Sequence, residues 1–183
     1  MADKVKYTVD EFDHFINLPE NDARRFELID GDIVEKMPTF LHSFIVSVLM
    51  LAIGKYLEQN PIAWILPELR SQLPNDDENA LIPDLSVVLK LEGRKVIRQH
   101  APYMPEIAIE VQSPNQSEAA LIAKAHAYVK HGAKVVWLVL IDKQAVLVLT
   151  ATGQQLIPLD GMLSGGDVLP GFSIPVASLF PVE

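Results

Sequence analysis

The sequence predicts an α/β (α+β) fold, a mixed β-sheet flanked by helices. Three observations predict it. Short apolar runs with strand-like alternation are interleaved with two long stretches of helical spacing. An Asp-Gly turn joins two neighbouring strand candidates, and no fixed-period repeat or low-complexity tract divides the chain. With 183 residues, 49% of them hydrophobic and 21% charged, the expectation is one unit over residues 1–183, and extensive disorder is excluded.

The elements follow in order. Thr8 with Glu11 fits a capping box, and Phe12, Phe15 and Ile16 complete a short amphipathic helix that ends before Pro19 and is expected to pack as a lid on one edge. Arg25-Phe26-Glu27-Leu28-Ile29 and Asp32-Ile33-Val34-Glu35 flank Asp30-Gly31 and predict a hairpin. From about Phe40 to Gln59, Leu41, Phe44, Ile45, Val48, Leu49, Ala52, Tyr56 and Leu57 recur at helical spacing until Asn60-Pro61 stops them, which predicts a long core helix. Ala63 to Leu66 and Leu85 to Leu89 read as strands around a solvent-facing polar loop, Pro74 to Asn79. A strand over Glu106 to Val111, a helix from Ser117 to His131 closed by Gly132, a buried strand over Val135 to Leu140 and a return strand over Gln144 to Leu149 complete the sheet. The tail, with Asp167-Val168-Leu169-Pro170-Gly171-Phe172, is expected to be irregular.

Composition excludes several functions. The chain has no cysteine, so disulfide frameworks, thiolate metal sites and Cys nucleophiles drop out. Its start lacks the apolar run of a secretory signal, and no stretch is read as approaching the roughly 18 apolar residues of a membrane span. The expectation is therefore a soluble cytoplasmic protein with no membrane partner. Fifteen basic residues against 24 acidic ones give a net charge of −9, which argues against nucleic-acid binding by bulk electrostatics. Residues 90 to 134 are the locally basic exception, with seven basic residues against four acidic.

Charged residues inside apolar elements are the informative ones, because burying an ionised group is costly unless it is paired or binds a metal. Glu110 ends the run Ile107-Ala108-Ile109, and alternation puts Glu106, Ala108, Glu110 and Gln112 on one face of that strand. Asp84 follows Pro83 and opens the strand from Leu85; if this strand runs antiparallel beside the next, Asp84 and Glu110 meet at one sheet edge. Lys124 shares a helical stripe with Leu121, Ala125 and Tyr128 and so faces packed surface. Taken singly, each has an ordinary reading: a strand-end turn, a carboxylate paired with a core lysine, an ammonium that snorkels to water. Together they point to a hard divalent cation held by carboxylate oxygens, with an ammonium steadying phosphate charge.

At these residues the sequence resembles the PD-(D/E)xK nuclease superfamily, and within it the Uma-type family of restriction-endonuclease-like proteins. The resemblance is carried by Phe26 to Glu35, His42 opening the long helix, and Pro83-Asp84-Leu85-Ser86-Val87-Val88. It continues through Glu110-Val111-Gln112-Ser113-Pro114, Lys124 with Tyr128 and Gly132, Val136-Trp137-Leu138-Val139 and Pro170-Gly171-Phe172-Ser173-Ile174-Pro175, and so spans most of the chain. It implies a restriction-endonuclease-like mixed β-sheet, Mg²⁺ or Mn²⁺ at Asp84 and Glu110, and phosphodiester hydrolysis, of DNA, by a metal-activated water with Lys124 stabilising the developing charge. Gln112 stands where the usual lysine two residues after the glutamate would be, and the resemblance implies that Lys124 on the following helix supplies it. Ala120 departs from relatives that carry an aspartate four residues before that lysine.

Gln112 is read as orienting the water or a ligand. Glu27 is a candidate further acidic residue, unless it only pairs with Arg24, Arg25 or another surface charge; His42 is a candidate proton shuttle or positioning residue, unless it is only a hydrogen-bonded rim histidine. Glu68 is a weaker candidate. His14, His100, His126 and His131 show no metal-ligand spacing, and Trp64 and Trp137 read as core. The resemblance also implies a homodimer, with the apolar tail residues Ile174, Val176, Leu179 and Phe180 either its contact surface or core. Two other readings compete with a metal-dependent endonuclease: a nuclease-fold binding or regulatory module that does not cleave, which Ala120 and the missing lysine favour, and a metal hydrolase of small phosphoesters.

Overall fold

The structure is a computed structural model that describes residues 5–72, 75–92, 94–95, 97–98, 100–114 and 116–181. Helix α1 (Val9–Ile16) starts at the expected capping box: the Thr8 N–H donates to Glu11 Oε2 at 2.8 Å and the Glu11 N–H to Thr8 Oγ1 at 3.3 Å. It does not cap an edge of the main sheet. Its buried Val9 and Phe12 pack with Phe26, Leu28 and Ala80 instead, and Arg70 fastens it through Asp13 at 2.5 Å. Strands β1 (Arg25–Ile29) and β2 (Asp32–Lys36) form the predicted antiparallel hairpin. Asp30 and Gly31 both take positive φ, 46° and 77°, the backbone that a two-residue turn of this hand requires.

The main sheet has six strands in the order β3-β4-β5-β6-β7-β8. They are β3 (Ala63–Pro67), β4 (Leu85–Leu89), β5 (Ile107–Val111), β6 (Val135–Leu140), β7 (Ala145–Thr150) and β8 (Gly153–Ile157). Only β5 and β6 are parallel neighbours, and helix α3 (Glu118–Lys130) makes the crossover between them. Strand alternation divides the core in two. Ile107, Ile109, Val111, Trp137 and Val139 face helix α2 (Phe40–Gln59), which inserts Ile45, Leu49 and Ile53, while Ala108, Val136, Leu138 and Leu140 face Leu121, Ala125 and Tyr128 of α3. The sheet is thus the mixed, helix-flanked one expected.

One expectation is corrected, two are refined and one pair of alternatives is decided. The tail is irregular over residues 167–172, as expected, but strands flank that stretch: β9 (Met162–Ser164) pairs with β10 (Ser173–Pro175), and Leu163, Leu169, Phe172 and Val176 close the core on the α2 side. Ile174, Val176, Leu179 and Phe180 are likewise buried there, so they are core and offer no contact surface to a second copy. The polar loop is not wholly solvent-facing, because buried Asn79 accepts the Asp30 N–H at 2.8 Å and donates to Asp76; Pro74 lies outside the described residues. Helix α2, 20 residues long, is contrary to expectation long and apolar enough to cross a membrane, with mean hydropathy 1.8 over its most apolar 18 residues. Ser43, Ser47 and Gly54 break up its apolar run but scarcely lower the average.

Leu49 is fully buried midway along α2. A Leu49→Ala variant is expected to lose about 2–5 kcal/mol of unfolding free energy, the usual range for a cavity-forming core truncation, as measured by urea titration.

Candidate functional site

Register brings the first two acidic residues together. Leu85 of β4 lies opposite Ile109 of β5, so Asp84, one residue before β4, stands beside Glu110 at the same end of the sheet. The Val111 N–H donates to Asp84 Oδ2 at 2.8 Å and closes that corner. The hairpin folds over this end. On it Glu27 faces Val34 across the strands, and Lys36, two residues beyond Val34, points to the same side. Helix α3 contributes Lys124 and Tyr128, one turn apart, from its buried stripe.

Two ion-pair clusters result. Lys124 Nζ lies 2.6 Å from Glu27 Oε1 and 2.9 Å from Glu110 Oε1, and the Tyr128 hydroxyl donates to the same Glu110 oxygen at 2.5 Å. Lys36 Nζ lies 2.6 Å from Asp84 Oδ1 and donates to the Ile82 carbonyl at 2.9 Å, while His42 Nε2 reaches Asp84 Oδ2 at 3.0 Å. A carboxylate oxygen only accepts, so His42 Nε2 carries the proton in that contact; its buried Nδ1 has no hydrogen-bond partner. Glu27 Oε2 is likewise buried without one. Glu27, Lys36, Asp84, Glu110 and Lys124 line one cavity of about 320 Å³, and the half-exposed Met37 at its rim connects it to solvent.

The electrostatics follow from burial and pairing. Burial alone would raise Asp84, but the hydrogen bond from His42 and the Lys36 charge outweigh it and hold the carboxyl well below the ordinary carboxylate range. Burial pushes Glu110 up to about 7 against the pull of Lys124, with Asp84 adding to the rise. For Lys36 and Lys124 burial works toward neutrality, yet the surrounding carboxylates, Glu110 foremost, win and raise both ammonium groups. Tyr128, raised by burial and by Glu110, remains a hydroxyl donor.

Of the six residues singled out from the sequence, the structure brings five together. Glu27 pairs with Lys124 and not with Arg24, which binds Glu35 instead. His42 reaches the cluster only through Asp84 and stands behind the cavity wall. Gln112 is a correction. Its amide donates to Asp142 Oδ2 at 2.8 Å and accepts the Asp142 N–H at 3.2 Å, which turns it into a neighbouring cavity of about 270 Å³. Glu68 is exposed and touches the site only through its backbone N–H, 3.3 Å from the Asp84 carbonyl. Ala120 does line the cavity, one turn before Lys124. The basic stretch over residues 90 to 134 is partly neutralised, because Arg94 pairs with Glu106 and Lys124 with the site carboxylates.

Sequence reasoning missed Lys36. Strand alternation was the available signal: once Glu27 faces the site, β2 residues on the same side of the hairpin include Val34 and Lys36.

The donor set suits a hard cation in one limited sense. Among the described residues, no group of three or more His, Asp or Glu side chains converges as a ready coordination shell. Asp84 and Glu110 nevertheless line one cavity, and Mg²⁺ is commonly held by one or two carboxylates together with waters and substrate phosphate oxygens.

The model of the Uma2 family, described as "Putative restriction endonuclease", matches residues 10–177. No curated protein matches. A crystal structure of a "putative nuclease belonging to DUF820" from Anabaena variabilis is similar over 94% of this chain and 97% of that one, with 27% identity and a TM-score of 0.77.

The Lys124 contacts generate a test. A Lys124→Met variant leaves Glu27 and Glu110 buried without their counter-charge, and the expected loss is about 3–5 kcal/mol at pH 8. Without the ammonium the Glu110 value rises above about 7. A raised carboxyl stabilises the folded state at low pH and loses that contribution as pH climbs through the folded value. Urea titrations should therefore show a smaller loss at pH 5 than at pH 8.

Proposed function

The chain belongs to the Uma2 family of restriction-endonuclease type, and from that premise we propose that it is a metal-dependent endonuclease that hydrolyses phosphodiester bonds of DNA. One observation carries the reading: two carboxylates from adjacent strand ends and a buried lysine meet in one cavity that solvent reaches. A divalent cation such as Mg²⁺ or Mn²⁺, held by Asp84 and Glu110, supplies Lewis-acid polarisation of the phosphate and a more acidic water.

The residues divide the remaining work. His42, Lys36 and the Val111 N–H keep Asp84 ionised and fixed in orientation. Tyr128 and Lys124 share one oxygen of Glu110, which leaves the other free of both as an oxygen donor. Lys124, whose ammonium is raised, holds its proton and so serves as a fixed positive charge for the pentacoordinate phosphorus transition state, not as a base. Glu27 Oε2, lacking a partner, is the carboxylate oxygen left to accept a proton from an attacking water. Gln112 takes no part.

A non-cleaving binding or regulatory module is the second reading. It is favoured by Ala120 in the cavity wall and by the engagement of both Asp84 and Glu110 with lysines.

Purified protein with Mn²⁺ or Mg²⁺ is expected to cut DNA, and Glu110→Ala or Lys124→Ala is expected to reduce the rate by at least about 10²-fold, the scale of a lost electrostatic stabiliser. Gel assays check this alongside circular dichroism of each variant. A folded wild-type protein that cuts no nucleic acid defeats the proposal in favour of the binding module, whereas hydrolysis of a small phosphodiester but not of DNA points to the third reading.

A further inference from the structure

Asp84 is crowded for a metal ligand. Its Oδ2 already accepts from His42 Nε2 at 3.0 Å and from the Val111 N–H at 2.8 Å, one donor for each lone pair. Oδ1 holds the Lys36 ammonium at 2.6 Å. A cation can therefore reach this carboxylate only through the remaining lone pair of Oδ1, beside the Lys36 ammonium. Carboxylate to Mg²⁺ distances are about 2.1 Å, so an ion and an ammonium on one oxygen lie less than about 5 Å apart. Both are positive and both sit among buried groups, where screening is weak.

Resting on the metal-dependent reading above, we propose that Lys36 is a resident counter-ion that competes with the divalent cation for Asp84 Oδ1. While the ion is absent, Lys36 supplies a counter-charge to a buried carboxylate and the donor for its Oδ1. When an ion enters, the ammonium gives up Oδ1 and keeps the Ile82 carbonyl, its second acceptor at 2.9 Å, as a pivot. The lysine side chain lines the cavity beside Glu27 and Glu110, so the released charge stays within the site. Lys36 acts through Asp84 and is a positioning residue. It sets how much cation the protein needs before its site is loaded.

The test is Mn²⁺ binding by isothermal titration calorimetry on the full chain, without nucleic acid. Lys36→Met and Lys36→Gln remove the charge, and Lys36→Gln keeps a donor for Asp84 should the methionine variant fail to fold. The expected result is binding at least about tenfold tighter in the neutral variants, with Lys36→Arg no tighter than wild type. Adding Asp84→Asn to either neutral variant should abolish the gain. Equal or weaker binding in folded neutral variants, beside measurable binding in wild type, overturns the competition while leaving the metal-dependent reading intact. No binding in wild type and in every neutral variant overturns both. A gain that survives Asp84→Asn also overturns the competition, since it places the ion elsewhere.

Discussion

The Lys124 ammonium has almost no access to water, so only carboxylates can solvate it. It draws one from the hairpin, Glu27, and one from the centre of the sheet, Glu110, and it is itself anchored by the apolar stripe of α3. Hairpin, sheet and crossover helix are thereby joined through a single charged atom. Such an arrangement is a poor way to gain stability, since well-packed apolar groups of equal volume often do as well. Its value lies in specificity of geometry: any slip of β5 by one residue would turn Glu110 toward α2 and leave the ammonium with Glu27 alone.

The second cluster follows from the first. Asp84 enters through strand register beside Glu110, and like charges this close require a further cation and donors, which β2 supplies as Lys36 and α2 as the His42 ring N–H. The apolar residues of the same strands, Ile107, Ile109 and Val111, point the other way and hold the sheet against α2. One strand thus carries packing on one face and chemistry on the other. This division seats the charged side chains on elements that are packed against the core.

Much of this was legible in the sequence. The capping box at Thr8, the Asp-Gly turn and the two helices are local patterns whose physics needs no partner. Glu110 and Lys124 were legible because they break apolar periodicity, and a broken pattern is visible without a fold. Lys36 was not, because a lysine at the end of an amphipathic hairpin strand looks solvated until the hairpin is known to fold over the sheet. Gln112 was misread for a related reason: its partner Asp142 lies 30 residues away on the far side of the crossover. Strand β8 escaped because Gly153-Gln154-Gln155 forms an exposed polar edge that lacks any buried alternation.

The net charge of −9 takes on a different meaning beside this site. Without a bound cation the cluster sets Glu27, Asp84 and Glu110 against Lys36 and Lys124, three acidic side chains against two basic ones. A phosphodiester is also negative, so neither the surface as a whole nor the cavity attracts it in that state. Under the proposed function, a divalent cation would reverse the sign of the cavity and make it the one place on an acidic protein where a phosphate is favoured. Affinity for the polymer would then come from a few contacts around the scissile bond instead of a broad basic surface, and its dependence on salt would be shallow for a nucleic-acid-binding protein. The net negative charge, which first argued against a nucleic-acid substrate, would on that reading help to confine such a substrate to the loaded site.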